Sequence, residues 1–307
     1  MPGLRFQLFG KFTAHQDTGP LKGIEASKDQ ELLSFLLIHR DKPHSRETLA
    51  SLLWGDTATE KSKKYLRQAL WHLHAALNSD RVENLEVLVV DHDWLTLNSQ
   101  TNLWTDVGDF EQAFAGAEGI PGRQLDSEKA HALKSAVALY QDDLLAGSYQ
   151  DWILFERERL QNMYLLMLDK LIGYLQYHGE YEVAQGYGVT ILRYDPARER
   201  THRQLMYLYS LAGDRTSALR QFDRCVSALR QELGVKPEKK TTELYERIKL
   251  DQMGHSDTFE IPPSRNRSSD VLTRLKQLQA IVSGVQRRIQ RDIKAVEGAL
   301  HSENDKF

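Results

Sequence analysis

The stretch TEKSKKYLRQALWHLHAALN, residues 59–78, carries the pattern on which the fold assignment depends. Its apolar residues recur at three- and four-residue steps, which is the spacing of a helix with one buried face. At about 100° per residue the leucines fall on one side of that helix. They are Leu66, Leu70, Leu73 and Leu77. The stretch therefore predicts an amphipathic helix anchored in a core.

The opposite side of this helix is polar and cationic, and no acidic residue occurs between Lys61 and Ser79. A helix that enters the major groove needs one anchored face and one face that offers cations to phosphates and amide or guanidinium groups to bases. The predicted DNA-contacting residues are Lys61, Lys63, Lys64, Arg67, Gln68 and Trp71. From charge alone, a solvated surface helix without acids is the alternative interpretation.

The surrounding sequence favours the DNA-binding interpretation. Residues 4–9 alternate apolar and polar side chains like a half-buried strand, and residues 28–39 form a helical core face. Ser45 is placed as the N-cap of a short helix over Glu47–Trp54. Two strand-like runs, 86–90 and 94–97, flank an Asp-His-Asp turn. This order predicts a winged helix-turn-helix domain over residues 1–103, with the hairpin as its wing.

Residues 104–253 are predicted to form a helical domain. The predicted helices are 126–145, 151–178, 181–194, 199–212, 215–233 and 241–249. Gly179-Glu180 and Gly213-Asp214 lie 34 residues apart, and the same offset pairs Leu171 with Leu205 and Ala184 with Ala218. That is the period of a tetratricopeptide helix pair, so the domain is predicted to be tetratricopeptide-like.

The last part of the chain contains a predicted linker, residues 254–270, and a predicted amphipathic helix, residues 271–303. The apolar seam of this helix consists of Leu275, Leu278, Val282, Val285, Ile289 and Val296. A 3-4-3-4 seam favours a coiled coil, so these residues are predicted to mediate homo-oligomerisation. A helix that caps the repeat array, or that adds phosphate contacts through its arginines and lysines, remains an alternative.

The motifs resemble a known family of regulators. Residues 4–100 resemble the OmpR-type winged helix, with LASLLW at 49–54 and LRQAL at 66–70 similar to its paired helices. Residues 106–250 resemble the bacterial transcriptional activator domain in ALYQDDLLAG at 138–147, WILFERERL at 152–160 and LRQELGVKP at 229–237. Together they resemble the antibiotic-regulatory-protein class of transcriptional activators.

This resemblance implies a winged helix that binds double-stranded DNA repeats near a promoter and a surface that contacts RNA polymerase. Two features depart from it. Residues 1–103 hold 12 Lys and Arg against 13 Asp and Glu, so a single winged-helix domain is expected to bind DNA weakly. The Gly-x-x-x-x-Gly-Lys-Ser/Thr loop of the nucleotide-hydrolysing module that family members often carry is absent from this sequence.

Other function classes receive no support from the sequence. The net charge of −3 does not itself indicate a nucleic-acid partner, and no stretch is apolar enough for a signal peptide or a membrane span. A cytoplasmic protein without cofactor or metal is therefore expected. His72 and His74 point to different helix faces, His92 lies at a turn, and the single cysteine, Cys225, reads as a core residue. No enzyme motif appears, so an enzyme is not expected.

The helical domain is also a candidate receptor for a protein or small-molecule effector. Eight tyrosines between 164 and 209 are predicted mainly to pack between helices, with a ligand or peptide groove as the alternative. Two function hypotheses thus remain beside the activator. One is a tetratricopeptide-like adaptor whose N-terminal domain does not bind DNA, and the other is a ligand-controlled regulator.

Overall fold

The computed structural model describes residues 3–17, 19–78, 86–98 and 100–252. Within these ranges, small β elements and helices at the N-terminal end precede a part built of helices, which confirms the predicted mainly α class. The predicted linker 254–270, the helix 271–303 and its seam residues lie outside the described residues. Their predicted roles remain predictions.

The first sheet brings the start of the chain together with residues from the proposed domain boundary. Its strands are β1 Leu4–Gln7, β2 Thr13–Gln16, β3 Gly19–Pro20 and β7 Leu103–Thr105, in the order β3-β2-β1-β7. Strand β1 buries Leu4 and Phe6 and exposes the residues between them, as its alternation predicts. It pairs antiparallel with β2 and parallel with β7.

Three helices and a second sheet complete the described part of the N-terminal region. The helices are α1 Ser27–Ile38, α2 Arg46–Trp54 and α3 Thr59–Asn78. The sheet contains β4 His44–Ser45, β5 Leu88–Asp91 and β6 Trp94–Leu97, in the order β4-β6-β5. Ser45 caps α2 by accepting a hydrogen bond from the Thr48 amide at 3.1 Å, so the predicted N-cap is confirmed.

The helical part contains seven α-helices among the described residues. They are α4 Asp106–Gly116, α5 Ser127–Leu139, α6 Asp151–Tyr177, α7 Tyr181–Tyr194, α8 Glu199–Leu211, α9 Arg215–Leu233 and α10 Lys239–Lys249. Most of these agree with the predicted ranges to within two residues. The helix predicted over 126–145 does not.

Helix α5 ends at Leu139, and the segment after it instead pairs with residues 8–10, which follow β1. The Leu145 amide donates to the Leu8 carbonyl at 2.8 Å, and the Gly10 amide donates to the Asp143 carbonyl at 2.9 Å. Leu144 and Leu145 are buried in this position. Their apolar spacing fits a helix equally well, but the partner strand is more than 130 residues away in sequence and leaves no local signal.

The 34-residue periodicity corresponds to equivalent turns. Gly179 and Gly213 both have a φ of 77°, in the left-handed region that favours glycine. Each is followed by a helix that begins two residues later, and the small residues Ala184 and Ala218 are fully buried in those helices. Assignment of these helix pairs to the tetratricopeptide class stays a prediction.

Helices α7 and α8 approach closely at Gly188, where a Cβ atom would lie 2.7 Å from Leu205 Cδ2. We expect Gly188→Ala to lower the free energy of unfolding by about 1–3 kcal/mol, because the buried Leu205 side chain must shift. Gly186→Ala is the matched control in the same helix, since its added Cβ meets nothing within 4 Å. The control should gain about 0.5–1 kcal/mol. Urea unfolding of both variants measures the difference, and equal values would contradict the close approach.

The N-terminal and helical parts share one hydrophobic core, which runs from Leu4 to Leu208. Where α1 meets α6, the rings of Phe35 and Trp152 pack edge to face at 5.2 Å. Beside them His39 Nε2 lies 3.6 Å from Glu156 Oε1, and burial lowers the pKa of His39. The described parts of Met1–Met253 are therefore one compact unit.

Candidate nucleic-acid interface

Helix α3 is anchored by its leucines. Leu66, Leu70, Leu73 and Leu77 are buried, between 0% and 6% exposed, together with Ala69 and Ala76. Burial of such a stripe against the body is what holds a surface helix in place, at about 1.5–3 kcal/mol for each large apolar side chain. The inward face predicted for this helix is therefore confirmed.

Ser62 fixes the turn between α2 and α3, a role that the sequence analysis missed. Its side chain is 4% exposed, and its hydroxyl lies 3.1 Å from the Trp54 carbonyl, to which it can donate. The Thr57 hydroxyl is 2.9 Å away. Serine three residues after a helix start has no distinctive pattern, so only the contact identifies it.

A hydrogen bond between side chains of α1 and α3 adds a second anchor. His72 Nδ1 lies 2.8 Å from Asp29 Oδ2, and Asp29 is 5% exposed. His72 is therefore a positioning residue of α3. The neighbouring His74 lies 3.6 Å from Glu86, so the two histidines point to different faces of α3, as predicted.

All six predicted DNA-contacting residues of α3 are exposed. They are Lys61, Lys63, Lys64, Arg67, Gln68 and Trp71. Among the described residues no carboxylate lies within 4.0 Å of the three lysines or of Arg67, so these cations make no ion pair with that part of the chain. Trp71 is 70% exposed, whereas Tyr65, which the prediction omitted, is 40% exposed and lies about 120° away around the helix, with its ring 6.4 Å from that of Trp54. The helix thus presents a cationic face around the Trp71 ring.

The predicted hairpin is present, and its tip is acidic. Strands β5 and β6 pair antiparallel with Asp91 opposite Trp94, which leaves His92 and Asp93 in the turn. His92 has a φ of 52° and lies 2.7 Å from Asp91 Oδ1. Both side chains are largely exposed, so the tip offers carboxylates rather than cations to a partner.

The other candidate groups considered in the sequence are the cysteine, the tyrosines and possible metal ligands. Cys225 is fully buried, and this burial raises the pKa of its thiol to about 12, which removes the thiolate needed for nucleophilic chemistry. Tyr164 is buried and stacks on Tyr140 at 4.4 Å, whereas Tyr177 is 71% exposed. In the described ranges no group of three His, Cys, Asp or Glu side chains could hold a metal ion. Helices long and apolar enough to cross a bilayer are also absent from those ranges.

Comparisons with known proteins agree with this organisation. Residues 105–249 match the model of the bacterial transcriptional activator domain. Transcriptional regulatory protein MoaR1 of Mycobacterium tuberculosis (strain ATCC 25618 / H37Rv) is 22% identical over 223 residues, which cover 72% of this chain and 71% of MoaR1. The MoaR1 protein of Mycobacterium bovis (strain BCG / Pasteur 1173P2) is 23% identical over the same length.

A solved structure, Mycobacterium tuberculosis EmbR in complex with a low affinity phosphopeptide, has a similar fold. Its TM-score is 0.66 at 20% sequence identity, and the match covers 83% of this chain and 66% of EmbR. At this identity the likeness concerns the fold alone. Residues 105–249 are therefore similar to the bacterial transcriptional activator domain, and most of the chain is similar to a transcriptional regulatory protein.

Proposed function

We propose that this protein is a sequence-specific DNA-binding transcription regulator that acts as an activator. The observation that carries the proposal is the face of α3. Four cations, a glutamine and a tryptophan are exposed there, without described acidic partners, on a helix whose other face is buried. A rigid helix with this division fits the major groove, where cations contact phosphates and polar groups contact base edges.

The helical part supplies the rest of the proposed mechanism. Its similarity to the bacterial transcriptional activator domain supports a role in contact with RNA polymerase or in receiving a protein or small-molecule effector. Because α1 packs directly on α6 through Phe35 and Trp152, a conformational change in the helical part would be transmitted to the DNA-binding part through packed side chains. Self-association through the apolar seam of residues 271–303 would place two weakly binding DNA-binding domains on repeated half-sites. A cytoplasmic location fits this role.

We expect Gln68→Ala to weaken binding to the protein's own upstream DNA by about 1–3 kcal/mol, because an amide that reads a base edge is lost. Lys61→Ala and Arg67→Ala together should lower the slope of log K against log salt by about 2, since each phosphate contact contributes about 0.9. Fluorescence anisotropy with duplex DNA between about 50 and 200 mM salt measures both effects. Arg220→Ala is the control, because Arg220 is an exposed arginine of α9 in the helical part.

The adaptor hypothesis has one observation in its favour. The wing tip carries Asp91 and Asp93, and the balance of charges in residues 1–103 is slightly acidic, which weakens the attraction of this part of the chain for phosphates. If the wild-type protein shows no salt-dependent DNA binding, the adaptor replaces the regulator as the preferred function.

A further inference from the structure

The outermost ridge of α3 changes character along the helix. Lys64, Gln68, Trp71 and Ala75 follow steps of four, three and four residues, which places them within about 60° of one another. All four are exposed. The N-terminal half of the ridge is a cation and an amide, whereas the C-terminal half is an indole ring and a methyl group.

Cations lie on both flanks of this ridge. Lys61 and Arg67 are displaced by about 60° to either side of Lys64. Such flanking charges would contact the two phosphate backbones that border a major groove. The ridge between them would then face the base edges, so its own side chains would determine which bases fit.

The two central side chains of the ridge have complementary chemistry for one kind of base pair. The Gln68 amide has a donor and an acceptor, which match N6 and N7 of adenine. The Trp71 ring is 70% exposed and apolar, and in the major groove the apolar feature of a base pair is the C5-methyl group of thymine. Ala75, one turn further on, is small and would leave room for that methyl group.

We propose that Gln68 and Trp71 make the protein select A·T pairs in its operator, with Gln68 on an adenine and Trp71 against a thymine methyl group. This inference rests on the proposed DNA-binding function. The inference adds to that function a preference for certain base pairs and a division of the contacts along the length of α3. Charge contacts belong to the N-terminal end of α3, and methyl contacts belong to the end that His72 and Asp29 hold against α1.

The first experiment selects duplexes from a randomised library with the full-length wild-type protein at low salt. We expect a motif with at least one fixed A·T pair. Gln68→Ala should relax the adenine preference by about 5- to 150-fold in discrimination, as for a bidentate contact, and Trp71→Ala should relax the thymine preference by about 4-fold, as for one methyl group. Lys61→Ala should weaken binding to all sequences alike and reduce the salt slope.

The second experiment replaces each fixed thymine of the selected duplex by uracil, which lacks only the methyl group. One substitution should weaken wild-type binding about 4-fold, since one buried methyl-sized group contributes about 0.8 kcal/mol. For Trp71→Ala the same substitution should have no effect, whereas Trp71→Phe should retain part of it. Because Trp71 is exposed, its variants should unfold at the wild-type urea midpoint, which separates lost contact from lost folding.

Each of the following outcomes would overturn the inference. An unchanged motif for Trp71→Ala, or an equal uracil effect in wild type and variant, would show that the ring faces something other than a thymine, such as a protein partner. A selected motif without fixed A·T pairs would do the same while leaving DNA binding intact. Failure of the wild type to enrich any sequence or to bind DNA at low salt would remove the proposed function as well.

Discussion

Replacing Asp106 by alanine should lower the free energy of unfolding by about 3–5 kcal/mol, because several buried backbone donors would lose their acceptor at once. The Asp106 carboxylate is 3% exposed and lies at the start of α4, directly after β7. It accepts hydrogen bonds from the Leu8 amide at 2.9 Å, the Phe9 amide at 3.0 Å and the Val107 amide at 2.8 Å. The residue thus ties the end of β1 to the first turn of α4.

Asp109→Ala is the matched control for this prediction. Asp109 lies in the same first helical turn, so both substitutions remove a similar favourable interaction with the helix dipole. Its carboxylate is exposed and accepts one hydrogen bond, from Trp104 Nε1 at 2.7 Å. We expect this control to lose about 1 kcal/mol or less. A loss for Asp106→Ala within 1 kcal/mol of the control, measured by urea unfolding, would contradict the role of Asp106.

The pH dependence gives a second readout of the same group. Burial raises the pKa of the Asp106 carboxyl above its usual range, while the amides of Phe9, Leu8 and Val107 oppose this shift. A carboxyl whose folded pKa is raised binds its proton more readily in the folded state. Its contribution to stability therefore increases as the pH falls through that pKa. Asp106→Ala should lose this contribution, which urea midpoints at a series of acidic pH values would show.

The second large effect is expected for Arg157→Ala, which should cost about 2–4 kcal/mol of unfolding free energy. Arg157 Nε donates to the Leu144 carbonyl at 2.7 Å, and its Nη2 donates to the carbonyls of Leu145 at 2.7 Å and Ser148 at 2.9 Å. These contacts close the loop after α5, where Leu145 has a left-handed φ of 49°. Without the guanidinium, three carbonyls would lose a charged donor.

Two variants test the geometry of this contact. Arg157→Lys keeps the charge but not the planar set of donors, so most of the loss should remain. Arg159→Ala, two residues along α6, removes a surface ion pair with Glu111 and Glu156 and should cost about 1 kcal/mol or less. Hydrogen exchange should accelerate only in the Arg157 variants at two amides that join the loop to the N-terminal segment, those of Leu145, which donates to Leu8, and Gly10, which donates to Asp143. Equal exchange rates in the wild type and Arg157→Ala would contradict the role of Arg157 in holding this loop.

Arg157 and Arg159 have the same local charge pattern but different surroundings. In the run Glu156-Arg-Glu-Arg159, alternating charges on a helix predict surface or inter-helix ion pairs. Arg159 fits that prediction, since it pairs with Glu111 at 2.6 Å. Arg157 instead donates to backbone carbonyls of a loop that begins inside the predicted helix 126–145. The charge pattern was identical for both residues, and only the position of the loop distinguishes them.

What the sequence by itself determined was the local periodicity. It placed α3 at residues 59–78, separated its leucine face from its cationic face, and located the Ser45 cap, the hairpin and the turns at Gly179 and Gly213. Each of these depends on neighbours within one or two helical turns or on a turn residue, so the signal is contained in the order of side chains. The six predicted DNA contacts follow from the same periodicity, and their exposure agrees with it.

Only the tertiary structure decided which distant groups meet. The segment after α5, which ends at Leu139, bonds to residues 8–10. Asp106 accepts hydrogen bonds from Leu8 and Phe9, and His72 pairs with Asp29. All these contacts join residues about 40 to 140 positions apart. Backbone hydrogen bonds between such segments leave no side-chain pattern, because every residue except proline carries the same donor and acceptor. A side-chain bond to a group so far away in sequence leaves no local periodicity either. The sequence therefore indicates which face of α3 is turned outward, and the packed body fixes where that face is held.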